Sequence, residues 1–482
     1  MPTEAVSSVQ LFSSAPAVPH RFRSARCDDV SRGRHKTVVV GSDPHAWTTV
    51  SATAGAARPG TMLPTPSVGE EVAWVQRYLG HLALEPEVRA SPEFRGGQSA
   101  ADIALATFDV TGYARARNEV WPERTRGASR LSPFIRHGLI DLPTLWAHVA
   151  AGPVGDRDKY RDELLWQEYA RHLHARLGDA MRRPLRHEPP RRDRVGQWGW
   201  NREMACVDLA VGELETNGWL VNQTRMWLAS QWSVRAGFDW RDGAEHFERH
   251  LLDGSAAANL LGWQWTVGTG TGKPYGFSRW QVRKRAPGLC ETCPLNDHCP
   301  IEGWPDSDSG PTVPDLDPRL RVDPSAHVTA GPASVEKLDN DHAPEAAWVT
   351  WESLGDGDPA LEAHPDLPAV LVFDERLLEV RQLSGKRLVF VAETLADLAT
   401  RREVEVHLGD PATVLAGRRL AATAAPVPGW RRLAARLEVE RHPWPWLVRP
   451  GSGPVTSFTT WRRSSGAPTT GAARAGSRRP RQ

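Results

Sequence analysis

Residues 253–300 read DGSAAANLLGWQWTVGTGTGKPYGFSRWQVRKRAPGLCETCPLNDHCP. The stretch gathers three tryptophans, three cysteines and a basic run, with no long apolar segment. Trp and Cys are sparingly used residue types. Their density here, among glycines, points to a cofactor environment rather than plain core. The GTGTGK run (268–273) is not a phosphate loop. The G-x4-G-K-[ST] spacing would need glycine where Val267 stands, and Pro274 follows Lys273.

Upstream of this stretch, residues 97–304 read as helical. SAADIALATFDVTGYARARN forms one segment, and TRGASRLSPFIRHGLI follows. Ser132 before Pro133 predicts an N-cap with proline at the first helical position. A long helix is expected over DRDKYRDELLWQEYARHLHARLG, then a Pro/Arg-rich loop. Two helices broken near Asn217–Gly218 come next. VGEEVAWVQRYLGHLAL, from Val68, is also helix-periodic. Residues 1–68 lack sustained periodicity and read as a disordered leader, with Met62 standing as an alternative first residue.

Downstream, residues 305–345 are rich in Pro, Asp, Ser and Gly, which predicts a linker. After it the pattern changes. AAWVTWESL, AVLVFDE, EVEVHLGD and LAATAAP are strand-like. KRLVFVAETLADLATR, DPATVLAGRRL and GWRRLAARLEVE between them read as helices. Alternating strands and helices predict a parallel, doubly wound sheet. The Arg/Gly/Ser-rich tail from Ser464 reads as disordered.

The 482 residues allow two or three domains, and a net charge of +1 imposes no global field on partners. Six of the 59 basic residues are Lys. Arg suits bidentate phosphate contact, although GC-rich coding bias alone yields the same excess. No apolar run is long enough to cross a membrane as a helix, and no signal peptide is apparent. Five cysteines in a chain this size suit metal ligation in a cytoplasmic protein better than a disulfide framework.

Spacing isolates several constellations. GASRLSP (127–133) opens a helix with a glycine turn, hydroxyls and an Arg, which suits a phosphate or a simple capped helix. Glu163, Trp166 and Gln167 share one helix face, and Asn222, Arg225 and Met226 share another. Cys290-x2-Cys293-x5-Cys299, with Cys206 as fourth ligand, suits a [4Fe–4S] cluster or structural zinc. Cys27 lies in the leader and is read as idle. The basic runs 182–194 and 283–285 are solvated charge or phosphate contacts.

GASRLSP, ELLWQEYARHL, NGWLVNQTRM, FDWRDGAEHFERHLLDG and AAANLLGWQWTVGTGTGKPY follow one another as do the flavin-domain motifs of the DNA photolyase/cryptochrome family. The resemblance covers roughly residues 97–280. It implies a helical domain that holds a U-shaped FAD for light-driven electron transfer to a DNA lesion. By position, Tyr113, Ser129, Arg130, Leu131 and Ser132 match the adenine-side and phosphate contacts. Asn222, Arg225 and Asp253 match the flavin-ring surroundings, and Asn259 the residue facing flavin N5. Glu163, Trp166, Met226 and Trp265, with Asn222, match the dimer-facing set. Trp263, Trp240 and Trp198 match the tryptophan electron chain, with Trp200 an alternative outer member. The chain departs at Ala128, where a Thr is usual, and at Ser255, where an Asp is usual. Gln167 and Gln223 replace arginines. The His-His pair of (6-4) photolyases is absent, since Val221–Asn222 stands there.

The 1+3 cysteine layout resembles that of the iron–sulfur bacterial cryptochromes and photolyases, which favours [4Fe–4S] over zinc. LPAVLVFDERLL, SGKRLVFVAETLADL, VHLGDPATVL and TSFTTWRR resemble the antenna domain, which in the family precedes the flavin domain. The expected fold is therefore multidomain. A leader (1–68) precedes an all-α FAD-binding domain (69–304). A linker (305–345), a C-terminal α/β doubly wound, Rossmann-like, antenna-type domain (346–463) and a tail (464–482) complete it. The resemblance implies a photolyase acting on cyclobutane pyrimidine dimers in damaged DNA, as a cytoplasmic monomer. An antenna chromophore, its identity open, would be a second pigment. A cryptochrome-like photoreceptor and a metal-stabilised nucleic-acid-binding protein are the alternatives.

Overall fold

The computed structural model describes residues 60–189, 200–305, 310–338 and 342–470. Six strands form one sheet: β1 (Thr61–Leu63), β2 (Ala346–Val349), β3 (Ala369–Asp374), β4 (Val404–Gly409), β5 (Arg419–Thr423) and β6 (Glu438–His442). Their order is β1-β4-β3-β2-β5-β6. The five strands from β2 to β6 are parallel, and β1 joins the edge antiparallel to β4. The order reverses at β2, the arrangement of a doubly wound sheet. Strand β3, AVLVFD, is apolar almost throughout because helices cover both faces of a parallel sheet.

Helices α1 (Glu71–Tyr78), α2 (Gln98–Thr107), α3 (Tyr113–Ala116), α4 (Ser132–Arg136) and α5 (Leu142–His148) lead into the long α6 (Val154–Leu177). They are followed by α7 (Ala205–Asn217), α8 (Asn222–Ala229), α9 (Trp240–His250), α10 (Ala256–Thr266) and α11 (Arg279–Arg285). A π-helical turn at Ser230–Arg235 extends α8. Around the sheet run α12 (Ala326–Ala330), α13 (Pro359–Ala363), α14 (Glu375–Arg381), α15 (Gly385–Ala399), α16 (Pro411–Val414) and α17 (Pro428–Ala434). Helix α18 (Phe458–Ser464) comes last. Several of the sheet helices start on an aspartate cap. Asp358 accepts from the Ala360 and Leu361 amides, Asp374 from Leu377, and Asp410 from Ala412.

The chain builds three cores. One face of the sheet packs with α1, α2, α4, α5 and α15 around Trp74, Phe134, Leu371 and Phe390. The opposite face is closed by α17, whose Trp430 stacks on Trp348 with ring centroids 5.8 Å apart. The third core is the helical bundle, centred on Trp200, Trp227, Phe247 and Trp263.

Several stretches differ from their sequence reading. Residues 61–63, within the expected leader, pair with β4, and α1 packs on α15 of the sheet. Within the expected linker, Asp323 is buried, accepts from Thr329 Oγ1 at 2.6 Å and pairs with Arg176 at 3.4 Å. Compensated polar burial of this kind fixes residues 317–331 against α6. The EVE of GWRRLAARLEVE belongs to strand β6 rather than to a helix. Residues 447–464 leave the sheet and return to the bundle, where Trp461 is buried and donates to His172 Nδ1 at 2.8 Å. Ser132 does not cap α4; its hydroxyl accepts from Trp219 Nε1 at 3.0 Å instead. The leader before residue 60, Cys27, Trp198 and the end of the tail lie outside the described residues.

Candidate cofactor sites

The first site begins where α8 meets the turn before α10. Arg225, one turn into α8, grips Asp253 with both terminal nitrogens, at 3.1 and 2.7 Å. The Asp253 carboxylate is almost fully buried, and a bidentate pair is the strongest arrangement available to it. The next carbonyl, that of Gly254, accepts from Arg136 Nε at 3.1 Å and from Arg387 Nη2 at 3.2 Å. Arg387 belongs to α15, so the sheet layer helps set the turn that carries Asp253. Ser255 then caps α10, its hydroxyl accepting from the Ala258 amide at 3.2 Å. This explains how Ser substitutes for Asp there, since both are good N-caps. Asn259 donates from Nδ2 to the Ala244 carbonyl of α9 at 2.7 Å.

The loop of GASRLSP has a conformation suited to an anion. Arg130 takes a positive φ of 60°, and Leu131 follows in the right-handed region. Successive residues of opposite hand turn their amides to one side and form an anion-accepting nest. The Arg130 guanidinium stacks over Phe94 and Trp219 and pairs with Glu93. Tyr113 lies buried with its ring edge-on to Tyr160 at 4.9 Å, and Ser129 hydrogen-bonds the same Tyr160. Leu131 is fully buried.

Buried tryptophans line the bundle behind Asp253. Trp263 packs against Gly243 and edge-on to Phe247 at 5.0 Å, on the helix that starts with Trp240. Both Trp263 and Trp240 are buried with their indole N–H groups unpaired. Trp200, the alternative outer member, is buried, donates to the Leu228 carbonyl and lies 4.9 Å from the Trp232 ring.

The dimer-facing set is divided. Trp265 is 38% exposed and packs on Tyr275. Gln223 is buried and donates to the Tyr275 hydroxyl at 3.0 Å, so it is part of the wall and does not present an open hydrogen-bonding edge. Glu163 pairs with Lys159 at 2.8 Å and Arg117 at 3.3 Å. One face of Trp166 is covered by Phe458 of α18, with rings 3.9 Å apart and 12° from parallel. Met226 is half-buried, and Asn222, at the start of α8, is exposed. Sequence reasoning missed Phe458, Trp219 and Arg387. Trp219 sits inside the quoted NGWLVNQTRM, but Phe458 and Arg387 arrive from the sheet side, with no local signal.

The second site joins α7 to the turns after α11. Cys206, Cys290, Cys293 and Cys299 line one small cavity, with Met204, Val282, Leu289 and Ile301 as apolar neighbours. The Ala205 amide donates to Cys293 Sγ at 3.4 Å. Burial, together with Cys290, Cys293 and Cys299, pushes the Cys206 thiol up to about 12. Arg279 and Arg235 stand close enough to feel these thiols electrostatically. Among the described residues, the cysteine sulfurs do not form a set within 4.8 Å of one another. Tetrahedral zinc at about 2.3 Å bonds would hold them roughly 3.8 Å apart. Four thiols on one cavity could hold a metal centre, and the two arginines would offset its negative charge.

The helical bundle thus brings together a buried Arg–Asp pair, an anion nest and several buried tryptophans. Residues 160–285 match the family described as the FAD binding domain of DNA photolyase. The chain is similar to a deoxyribodipyrimidine photo-lyase of Streptomyces griseus, 36% identical over 188 residues, 37% of this chain and 40% of the relative. It is also similar to that of Escherichia coli, 37% identical over 195 residues, 36% of this chain and 40% of the relative. The chain thus spans about two fifths of the length of these curated relatives. A Synechocystis cryptochrome structure aligns at 22% identity and a TM-score of 0.37, over 41% of this chain and 44% of that one. No described helix is long and apolar enough to cross a membrane.

Proposed function

We propose that the chain is a light-driven, FAD-dependent photolyase that splits cyclobutane pyrimidine dimers in DNA, acting as a cytoplasmic monomer. The Arg225–Asp253 pair, buried in a domain that matches the photolyase FAD-binding family, carries this reading. When bound, reduced FAD supplies one electron to the dimer on illumination and takes it back once the ring bonds have broken. The chain's own residues do the rest. Arg225 and Asp253 would fix a charged hydrogen-bonding edge for the flavin ring, with the carboxylate almost fully buried. The nest at Arg130–Leu131, with Ser129, receives the diphosphate, and Tyr113 walls the adenine side. Asn259 holds its amide beside the ring. Trp263 and Trp240 give a dry aromatic path for reducing equivalents, with Trp198 or Trp200 beyond them. Trp265 stacks the flipped dimer together with the free face of Trp166, as flipped bases require. Glu163, an ionised carboxylate, would accept a hydrogen bond from a base N–H.

Cys206, Cys290, Cys293 and Cys299 would hold a [4Fe–4S] cluster that staples α7 to the end of the bundle. An antenna pigment would find room at the carboxyl end of β2, the switch point of the sheet. A cleft of about 170 Å³ opens there, lined by Asp102, Asp141, Arg171, Glu352, Asp358 and Trp444.

A photoreceptor role without repair is the second reading. It is favoured by the cover that Phe458 places on Trp166 and by the two ion pairs already made by Glu163. Purification without oxygen, an absorption spectrum, and blue light with dimer-containing DNA decide between them. Flavin bands and light-dependent loss of dimers are expected. Flavin without repair leaves the photoreceptor, and the absence of flavin overturns both.

A further inference from the structure

We propose that His364, Glu440 and His442, at the β6 edge of the sheet, form a binding site for a divalent transition-metal cation, separate from the cysteine centre. The local sequence already aligns two of the three groups. Residues 440 and 442 alternate along β6, so they face the same side. That side is turned inward, and both side chains are only 3% exposed. His364 closes the end of α13 above them and is 20% exposed. Its Nε2 lies 2.6 Å from Glu440 Oε1, and His442 Nε2 lies 2.9 Å from the same oxygen. One ligand atom from each residue falls within 4.8 Å of the other two.

Two imidazoles and a carboxylate are the donor set of zinc and of several first-row metals. Bonds of about 2.0–2.1 Å separate tetrahedral ligands by roughly 3.3 Å. The two His–Glu pairs, at 2.6 and 2.9 Å, need to open by less than about 1 Å to admit the ion. The arrangement without metal is a hydrogen-bond hub in which a single oxygen serves two imidazoles. Lys337 completes it on the other carboxylate oxygen, at 3.0 Å. The Lys337 side chain is 71% exposed, so water can take up its charge when a cation replaces it. Glu440 and His442 come from the sheet and His364 from the end of α13, which leaves a fourth position for water on the more exposed side.

The full-length chain, equilibrated with micromolar Zn²⁺ and desalted, is compared with His364→Ala and Glu440→Gln for bound zinc per chain. The wild type is expected to hold one equivalent more than either variant; equal contents overturn the site. Circular dichroism establishes that the variants fold. Co²⁺ added to the wild type gives a measurement independent of any variant. Imidazole–carboxylate coordination adds weak visible bands to whatever sulfur charge-transfer absorption the cysteines produce. A spectrum of sulfur type alone also overturns the proposal.

Discussion

At the scale of single residues, the flavin site turns on one ion pair. Asp253 is almost fully enclosed, while Arg225 keeps a quarter of its side chain in solvent. Replacing Asp253 by Asn removes the charge but preserves shape, and it leaves Arg225 with a neutral partner. A charge-assisted hydrogen bond contributes about 1.5–3 kcal/mol, so the chemical denaturation midpoint should fall by a corresponding amount. The variant should also lose flavin on gel filtration faster than Ser255→Ala, which removes only a helix cap worth about 1 kcal/mol. Equal retention in the two variants would show that Asp253 is structural and not a flavin contact. Arg225→Lys should resemble Asp253→Asn, because a lysine cannot make the two parallel bonds.

Elements decide how much of the site stays open. Helix α18 carries Trp461, fully buried against His172, and Phe458, laid on Trp166. Phe458→Ala forfeits an aromatic pair worth about 0.5–1.5 kcal/mol beyond its area. It also bares a face of Trp166 on which a base can stack, and such a stack is worth about 1–3 kcal/mol. Under the photolyase reading, the variant should bind a dimer-containing duplex up to roughly tenfold more tightly in a gel-shift titration. Weaker binding would mean that Phe458 completes the stacking surface instead of covering it. Helix α7 and the turns after α11 meet at the four cysteines and the groups around them. Cys206→Ala should therefore abolish bound iron and sulfide, expected near four of each per chain for a [4Fe–4S] centre. It should also free residues 290–301 for proteolysis. Zinc in place of iron in the wild type would overturn the cluster.

At the scale of the whole molecule, the sequence pattern and the structure both put helices ahead of the parallel strands, but helices α1, α2, α4 and α5 share the core of the sheet. The alternation of strands and helices was legible because β3 is a short apolar run and β4 alternates apolar and polar residues. Strand β1 was not, because three residues at a sheet edge carry no periodicity. Strand β6 was misread because its inward face holds Glu440 and His442, polar groups satisfied only by distant partners. The ordered motifs placed Arg225 and Asp253 in one site but not their ion pair, and the covering of Trp166 by Phe458 depends on a segment that follows the last strand of the sheet.

The join itself is polar, and it titrates. Lys386, on α15 of the sheet layer, is buried. It donates to the Glu215 carbonyl of α7 at 3.0 Å and to His250 Nδ1 of α9 at 3.1 Å. Burial pulls Lys386 down to about 8, with Arg387 adding to the fall and Glu85 and Glu215 opposing it. Burial, with Lys386 beside it, takes His250 to about 2, so this imidazole is neutral and able to accept. Between about pH 8 and the usual lysine value of 10.5, the unfolded chain binds more protons at Lys386 than the folded one. Stability linked to this group therefore rises with pH across that window. The two values differ by an amount worth roughly 3 kcal/mol, an upper figure for the gain. Lys386→Met removes the titrating group and keeps the stem. It leaves the Glu215 carbonyl and His250 unpaired, but that cost is the same at every pH above 7, because His250 stays neutral there. The slope, not the offset, thus isolates the lysine. Urea unfolding of both proteins from pH 7 to about pH 10 should show the wild type gaining on the variant as pH rises. Parallel curves would mean that Lys386 reaches water and that the two layers meet more loosely than the hydrogen bonds at α15 imply.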